Sequence, residues 1–264
     1  MRAALLLGLA ACGVNQTPQP EPAPDLPSCV PDRDGRITAA ELPIAYGTTA
    51  TYYASPAGAT RTINTSGTRW DLHEELRDDL VIELGPTELK AQWYAASFPA
   101  GQFVVDGGGG LDGIYHQDDQ GLWLDGTASK DPMPAAGKTL VRYVQPIAVL
   151  RFPVADGDKY STTASIPDGV VAGLPFIGTD QVDVDVTGAG TLDVPYVRFS
   201  PALRVRTLVT RKPSTGTPVV TRRNTIFLFE CFGEVARAES RVDEPAADFT
   251  TAAYLRRFAL GVTP

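Results

Sequence analysis

From Tyr46 to the end of the chain one short pattern keeps returning: alternating or β-branched apolar residues, closed off by Gly, Pro, Asp or Asn. An extended chain points successive side chains to opposite faces, so such runs form strands and their punctuation forms turns. Val182, Val184 and Val186 alternate with Asp183 and Asp185, which predicts a half-buried strand with its acidic side wet. Phe103-Val104-Val105, Ile114-Tyr115-His116-Gln117 and Leu122-Trp123-Leu124 are separated by Asp106–Gly110 and Asp118–Gly121, which predicts two consecutive hairpins. Leu203–Thr210 and the more apolar Thr225–Phe232 flank Pro213–Pro218 and predict a long hairpin with a central strand. Trp70–Leu84 is ambiguous, its acidic first half fitting a helix and Leu80–Leu84 before Gly85-Pro86 suiting a strand better, and Phe249–Leu260 is equally open. The expected fold is mainly β: an antiparallel curved sheet, a sandwich or half-barrel, with little helix.

The first residues follow a different logic. Met1-Arg2 is a short positive start, Ala3–Ala11 is apolar, and the run stops at Leu9-Ala10-Ala11-Cys12-Gly13, far short of spanning length. The pattern resembles a lipobox, which implies cleavage before Cys12 and a lipid on its thiol. Several acyl chains, each contributing roughly 0.8 kcal/mol per buried methylene, hold a soluble domain at a bilayer. The expected layout is a signal peptide over 1–11, a lipidated proline-rich tether over 12–28, a distinct segment over 29–45 and a β-rich domain over 46–264. Thr17–Pro24 carries a proline at every second position and reads as an extended spacer.

Lipidation of Cys12 leaves Cys29 and Cys231 as an even pair in an oxidising compartment, and a disulfide between them is expected; the alternative is two buried thiols that never meet. Cleavage also removes Arg2 and takes the formal charge from −8 to −9. An acidic chain without a basic stripe repels phosphate backbones, so nucleic acid is not an expected partner.

Val30–Glu41 resembles the twelve-residue calcium loop of an EF-hand. In that register Asp32 and Asp34 give carboxylates, Arg36 its backbone carbonyl and Glu41 a bidentate carboxylate, with Gly35 at the bend and Ile37 packing inward. The segment departs from the pattern in holding Val30 where the first aspartate belongs, and Pro27 and Pro31 leave no room for an entering helix. The same residues also spell a capped turn: Thr38-Ala39-Ala40-Glu41 is a capping box and Pro43 stops the helix after one turn. Calcium is the one cofactor the sequence suggests. His73 and His116 stand in no zinc spacing, no serine occupies a nucleophile elbow, and the glycines of Asp106–Asp119 lack the lysine and helix of a phosphate loop.

The lipobox, the tether, Cys29-Val30-Pro31 leading to Asp34-Gly35 and Glu41, Gly190-Thr191-Leu192, Pro195, Phe199, Leu203-Arg204-Val205 and Glu230-Cys231-Phe232-Gly233 together resemble uncharacterised bacterial lipoproteins with a β-rich body. That resemblance implies an outer-membrane envelope location and brings no activity with it. Some such sheets, as in lipoprotein carriers, enclose an apolar cavity. Two classes follow: a binding or scaffolding lipoprotein that takes an apolar ligand or envelope protein, and a hydrolase acting on envelope polymers.

Overall fold

The computed structural model describes residues 29–215 and 219–260. Cys12, the residues before it and the proline-rich stretch lie outside them, as do residues 216–218 of the expected turn. The chain begins with short strands: β1 (Arg36–Ile37), β2 (Ala50–Ala54), β3 (Arg61–Thr62), β4 (Arg69–Asp71), β5 (Leu80–Leu84) and β6 (Thr87–Glu88). Three single-turn 3₁₀ helices sit at Ala39–Glu41, Leu89–Ala91 and Ala95–Ser97. Longer strands follow: β7 (Phe103–Gly108), β8 (Leu111–Asp118), β9 (Gly121–Ser129), β10 (Leu140–Arg151), then β11 (Val154–Ala155), β12 (Lys159–Val171), β13 (Leu174–Val194), β14 (Val197–Pro213), β15 (Val220–Phe229) and β16 (Gly233–Glu239). Short β17 (Thr251–Ala252) and β18 (Tyr254–Phe258) complete the set.

Thirteen of these strands form one antiparallel path, β5-β2-β18-β16-β15-β14-β13-β12-β10-β9-β8-β7-β6, and β4 joins β13 in parallel off that path. The two edge strands are consecutive in sequence, with only Gly85-Pro86 between them. Three residue steps span at most about 11 Å, so the sheet must roll until its edges nearly meet. No ladder joins β5 to β6, and the roll stays open. Tyr115 of β8 accordingly lies in the field of Glu234 and Arg237 of β16, although six strands separate β8 from β16 along the sheet.

A straight 21-residue strand would run about 70 Å, longer than a rolled sheet of this size accommodates. β13 has that many residues and escapes by bulging against β14 between Val186 and Leu192. Bulges bend strands and strengthen their twist. Just there Gly190 lets Thr68 approach: a Cβ on Gly190 would stand 2.2 Å from the Thr68 carbonyl oxygen. That close approach is what allows β4 to lie alongside Thr191–Asp193.

Side-chain alternation along β15 divides the core. Phe227 and Phe229 face one way, into a cluster with Trp70, Leu72, Leu192, Ala236, Phe249 and Leu255; β3, β4 and β17 lie in the layer that covers this face. Ile226 and Leu228 face the other way, against Leu150, Val184, Val186, Leu203 and Val205, with Ile37 and Leu42 of the N-terminal segment inserted among them. A third cluster forms where Leu89, Tyr94 and Phe98 of the 3₁₀ turns cover Val104, Ile114 and Ala128 of β7–β9.

Several enclosed charges are paired across these layers. Asp180 of β13 accepts from Arg211 Nε at 2.8 Å and from the Tyr143 hydroxyl at 2.8 Å. Arg257 joins Asp79, with both side chains almost fully enclosed. Glu234 is burdened by burial, yet the positive charges of Arg237 and Arg256 outweigh that and hold its carboxyl down to about 2.

Two outcomes follow. Trp70 is fully buried with its ring centroid 4.9 Å from that of Phe227, so Trp70→Ala is expected to destabilise the fold by about 3–5 kcal/mol, read from chemical denaturation. Because the folded Glu234 value lies below the unfolded one, its stabilisation is complete above the ordinary glutamate range and disappears as pH falls toward about 2. That contribution is on the order of 3 kcal/mol. Glu234→Gln is expected to flatten the acid limb of a melting-temperature profile between about pH 5 and 2.

Candidate functional site: an acidic junction and a cleft

The N-terminal segment is fastened to the far end of β15. Cys29 and Cys231, 202 positions apart in sequence, form a disulfide with their Cα atoms 5.5 Å apart. The Cys231 amide donates to the Glu41 carbonyl at 2.8 Å, and β1 pairs with β11. Cys231 adopts a left-handed φ of 66°, which turns the chain out of β15. The apolar run expected to continue to Phe232 therefore ends at Phe229, and Phe232 is half exposed.

At this junction the loop residues take local roles first. Asp32 Oδ1 accepts from the Asp34 amide at 2.9 Å, and Asp34 Oδ1 accepts from the Arg36 amide at 2.7 Å. Gly35, at φ 80°, makes the bend. Thr38 donates to Glu41 Oε2 through both its amide, at 2.9 Å, and its hydroxyl, at 2.8 Å. The single helical turn expected before Pro43 is present as Ala39–Glu41, and Ile37 packs inward as the loop pattern requires.

Of the expected oxygen donors, Asp32 and Glu41 come together, and Glu230 joins them: each contributes a carboxylate oxygen, and these oxygens lie within 4.8 Å of one another. Asp34 is not in that group. Val30, at the first loop position, is 83% exposed and turned away from the protein. Glu230 is 1% exposed; its Oε2 accepts from the Arg33 amide at 2.7 Å, and its Oε1 is buried with no partner. Sequence reasoning did not pick out Glu230. The signal was its position next to Cys231, since the disulfide that brings Cys231 to Cys29 brings Glu230 to the loop.

A second concave site opens between the Ala95–Ser97 turn and the β8–β12 side of the sheet. It encloses about 520 Å³, within the range of small-molecule sites. Phe98, Pro99, Val144, Pro146 and Pro167 give it apolar walls. Its polar side chains are partnered internally: His116 Nδ1 meets Asp125 Oδ2 at 2.8 Å, and Arg142 meets Asp168 at 2.6 Å. The His116 ring stacks on Trp123. Tyr143 lines the cleft, and burial, followed by the Asp180 charge, pushes its hydroxyl well above the ordinary tyrosine value. His73 sits elsewhere, exposed beside Asp71, so the two histidines do not converge.

No family model matches the chain, and neither the curated proteins nor the solved structures yield a match.

The disulfide closes so long a loop that the chain-entropy model assigns it about 5 kcal/mol. Replacing Cys29 and Cys231 together by Ser is expected to lower the unfolding free energy by that much, read from chemical denaturation, while leaving β-sheet circular dichroism intact.

Proposed function

We propose that this chain is an envelope lipoprotein, tethered to the outer membrane through a lipid on Cys12, whose β domain binds an apolar ligand or an envelope protein in the cleft beside His116. The tethering half rests on the residues themselves: a short positive start, an apolar run and Leu9-Ala10-Ala11-Cys12-Gly13. The Cys29–Cys231 disulfide supports an oxidising compartment, where such bonds persist. No helix among the described residues is long and apolar enough to cross a membrane.

One observation carries the binding half. The cleft has apolar walls, and its polar side chains are partnered within it, His116 with Asp125 and Arg142 with Asp168. Such a site gains affinity by burying apolar surface and uses its few polar groups for orientation.

A hydrolase acting on envelope polymers draws on a single feature of the same cleft. Asp125 holds His116 through Nδ1, as a carboxylate orients a general base. Ser97 also lines the cleft, but it makes no hydrogen bond to His116.

Two measurements test these halves. Metabolic labelling with an alkyne fatty acid is expected to tag the chain, and Cys12→Ser is expected to abolish the tag. A fluorescent apolar probe is expected to bind the purified chain, and Ala100→Trp, which fills the cleft from its exposed lip, to weaken that binding about tenfold or more. Unchanged probe binding would remove the cleft from the account, and turnover of an envelope glycan or peptide that vanishes in His116→Gln would favour the hydrolase.

A further inference from the structure

We propose that Asp32, Glu41 and Glu230 form a calcium site that clamps the N-terminal loop to the end of β15. This inference is independent of the lipid anchor and of the cleft.

Two oxygens bound to one calcium ion at 2.3–2.6 Å stand at most about 5 Å apart. The three carboxylates meet that limit, with oxygens within 4.8 Å of one another. Three negative charges so close repel, and among the described residues none of them pairs with a lysine, arginine or histidine side chain. Elsewhere in this chain, enclosed carboxylates such as Asp79, Asp180 and Glu234 each meet an arginine.

Glu230 is the independent pointer to a ligand. It is 99% enclosed, one oxygen is committed to the Arg33 amide, and the other has no partner. Burying a carboxylate oxygen without a hydrogen bond or counter-charge is costly, and native proteins rarely leave one so. A cation at the centre of the cluster satisfies that oxygen and removes the repulsion.

The donor chemistry selects the ion. All the ligands are hard oxygens, no histidine is within the group, and the adjacent cysteines are spent in their disulfide. That set suits calcium over zinc or copper, and the loop's irregular spacing suits calcium over the strict octahedron of magnesium. Glu230 does from the far end of the chain what an aspartate at position 30 would do in a continuous loop. The free oxygens are Glu41 Oε1 and Asp32 Oδ2, because their partners already serve Thr38 and Asp34.

Calcium titration by calorimetry and melting curves on the full chain, purified in detergent and stripped with EDTA, tests the site. One calcium per chain is expected, with a dissociation constant of about 1 mM or tighter and a raised melting temperature that magnesium does not reproduce. Asp32→Asn, at an exposed position, and Glu230→Gln are each expected to weaken binding about tenfold or more, whereas Asp34→Asn changes it by less than about threefold. Asp32→Asn keeps the test decisive if Glu230→Gln fails to fold. No heat and no thermal shift with the folded chain at about 10 mM calcium would overturn the proposal, as would affinity unchanged in Asp32→Asn.

Discussion

The structure depends on β15 being buried on both faces. Ile226 and Leu228 point one way, Phe227 and Phe229 the other, and all four are withdrawn from water. A strand in a single open sheet has one wet face; burying both demands a second layer on each side. The chain supplies the two layers differently. On the Phe227 side they come from short pieces of strand and loop around Trp70 and Phe249. On the Ile226 side the sheet rolls over itself and the N-terminal segment fills the space with Ile37 and Leu42.

This requirement places the junction. To bring Ile37 against Val184, Val205 and Ile226, the segment after Cys29 must cross the end of β15. There it is held by a disulfide, by the Cys231 amide on the Glu41 carbonyl and by the Arg33 amide on Glu230. Gathering Asp32, Glu41 and Glu230 is the electrostatic consequence of that route. The cleft beside His116 lies on a different part of the sheet, and none of its lining residues belongs to the junction, so ligand binding and clamping are separable.

Much of the sheet was legible because alternation is a local property. Val182, Val184 and Val186 pack in the inner cluster as their spacing requires, and Asp185 on the other face reaches Lys159 and Arg206 of the flanking strands. The hairpins β7–β8–β9 and β14–β15 stand where the turn residues put them. The ambiguous stretches resolved into strands for non-local reasons. Arg69–Asp71 becomes β4 only because Thr191–Asp193 lies beside it with Gly190 making room, and Tyr254–Phe258 becomes β18 because β2 and β16 flank it. The pairing of Cys29 with Cys231 was open to counting; the arrival of Glu230 among the loop carboxylates was not, since 189 positions separate it from Glu41. The cleft was hidden for the same reason, its walls coming from segments between Ser97 and Asp168 that no spacing rule connects.

Hydrogen exchange read by mass spectrometry along 220–229 tests the two-sided burial of β15 most directly. Amides of residues 225–229 are predicted to exchange only as fast as the whole domain unfolds, and Ile37→Asp, which puts a charge into the inner cluster, to speed them together with β14. Exchange at 225–229 as rapid as in the edge strand Leu80–Leu84, or rates untouched by Ile37→Asp, would contradict the account.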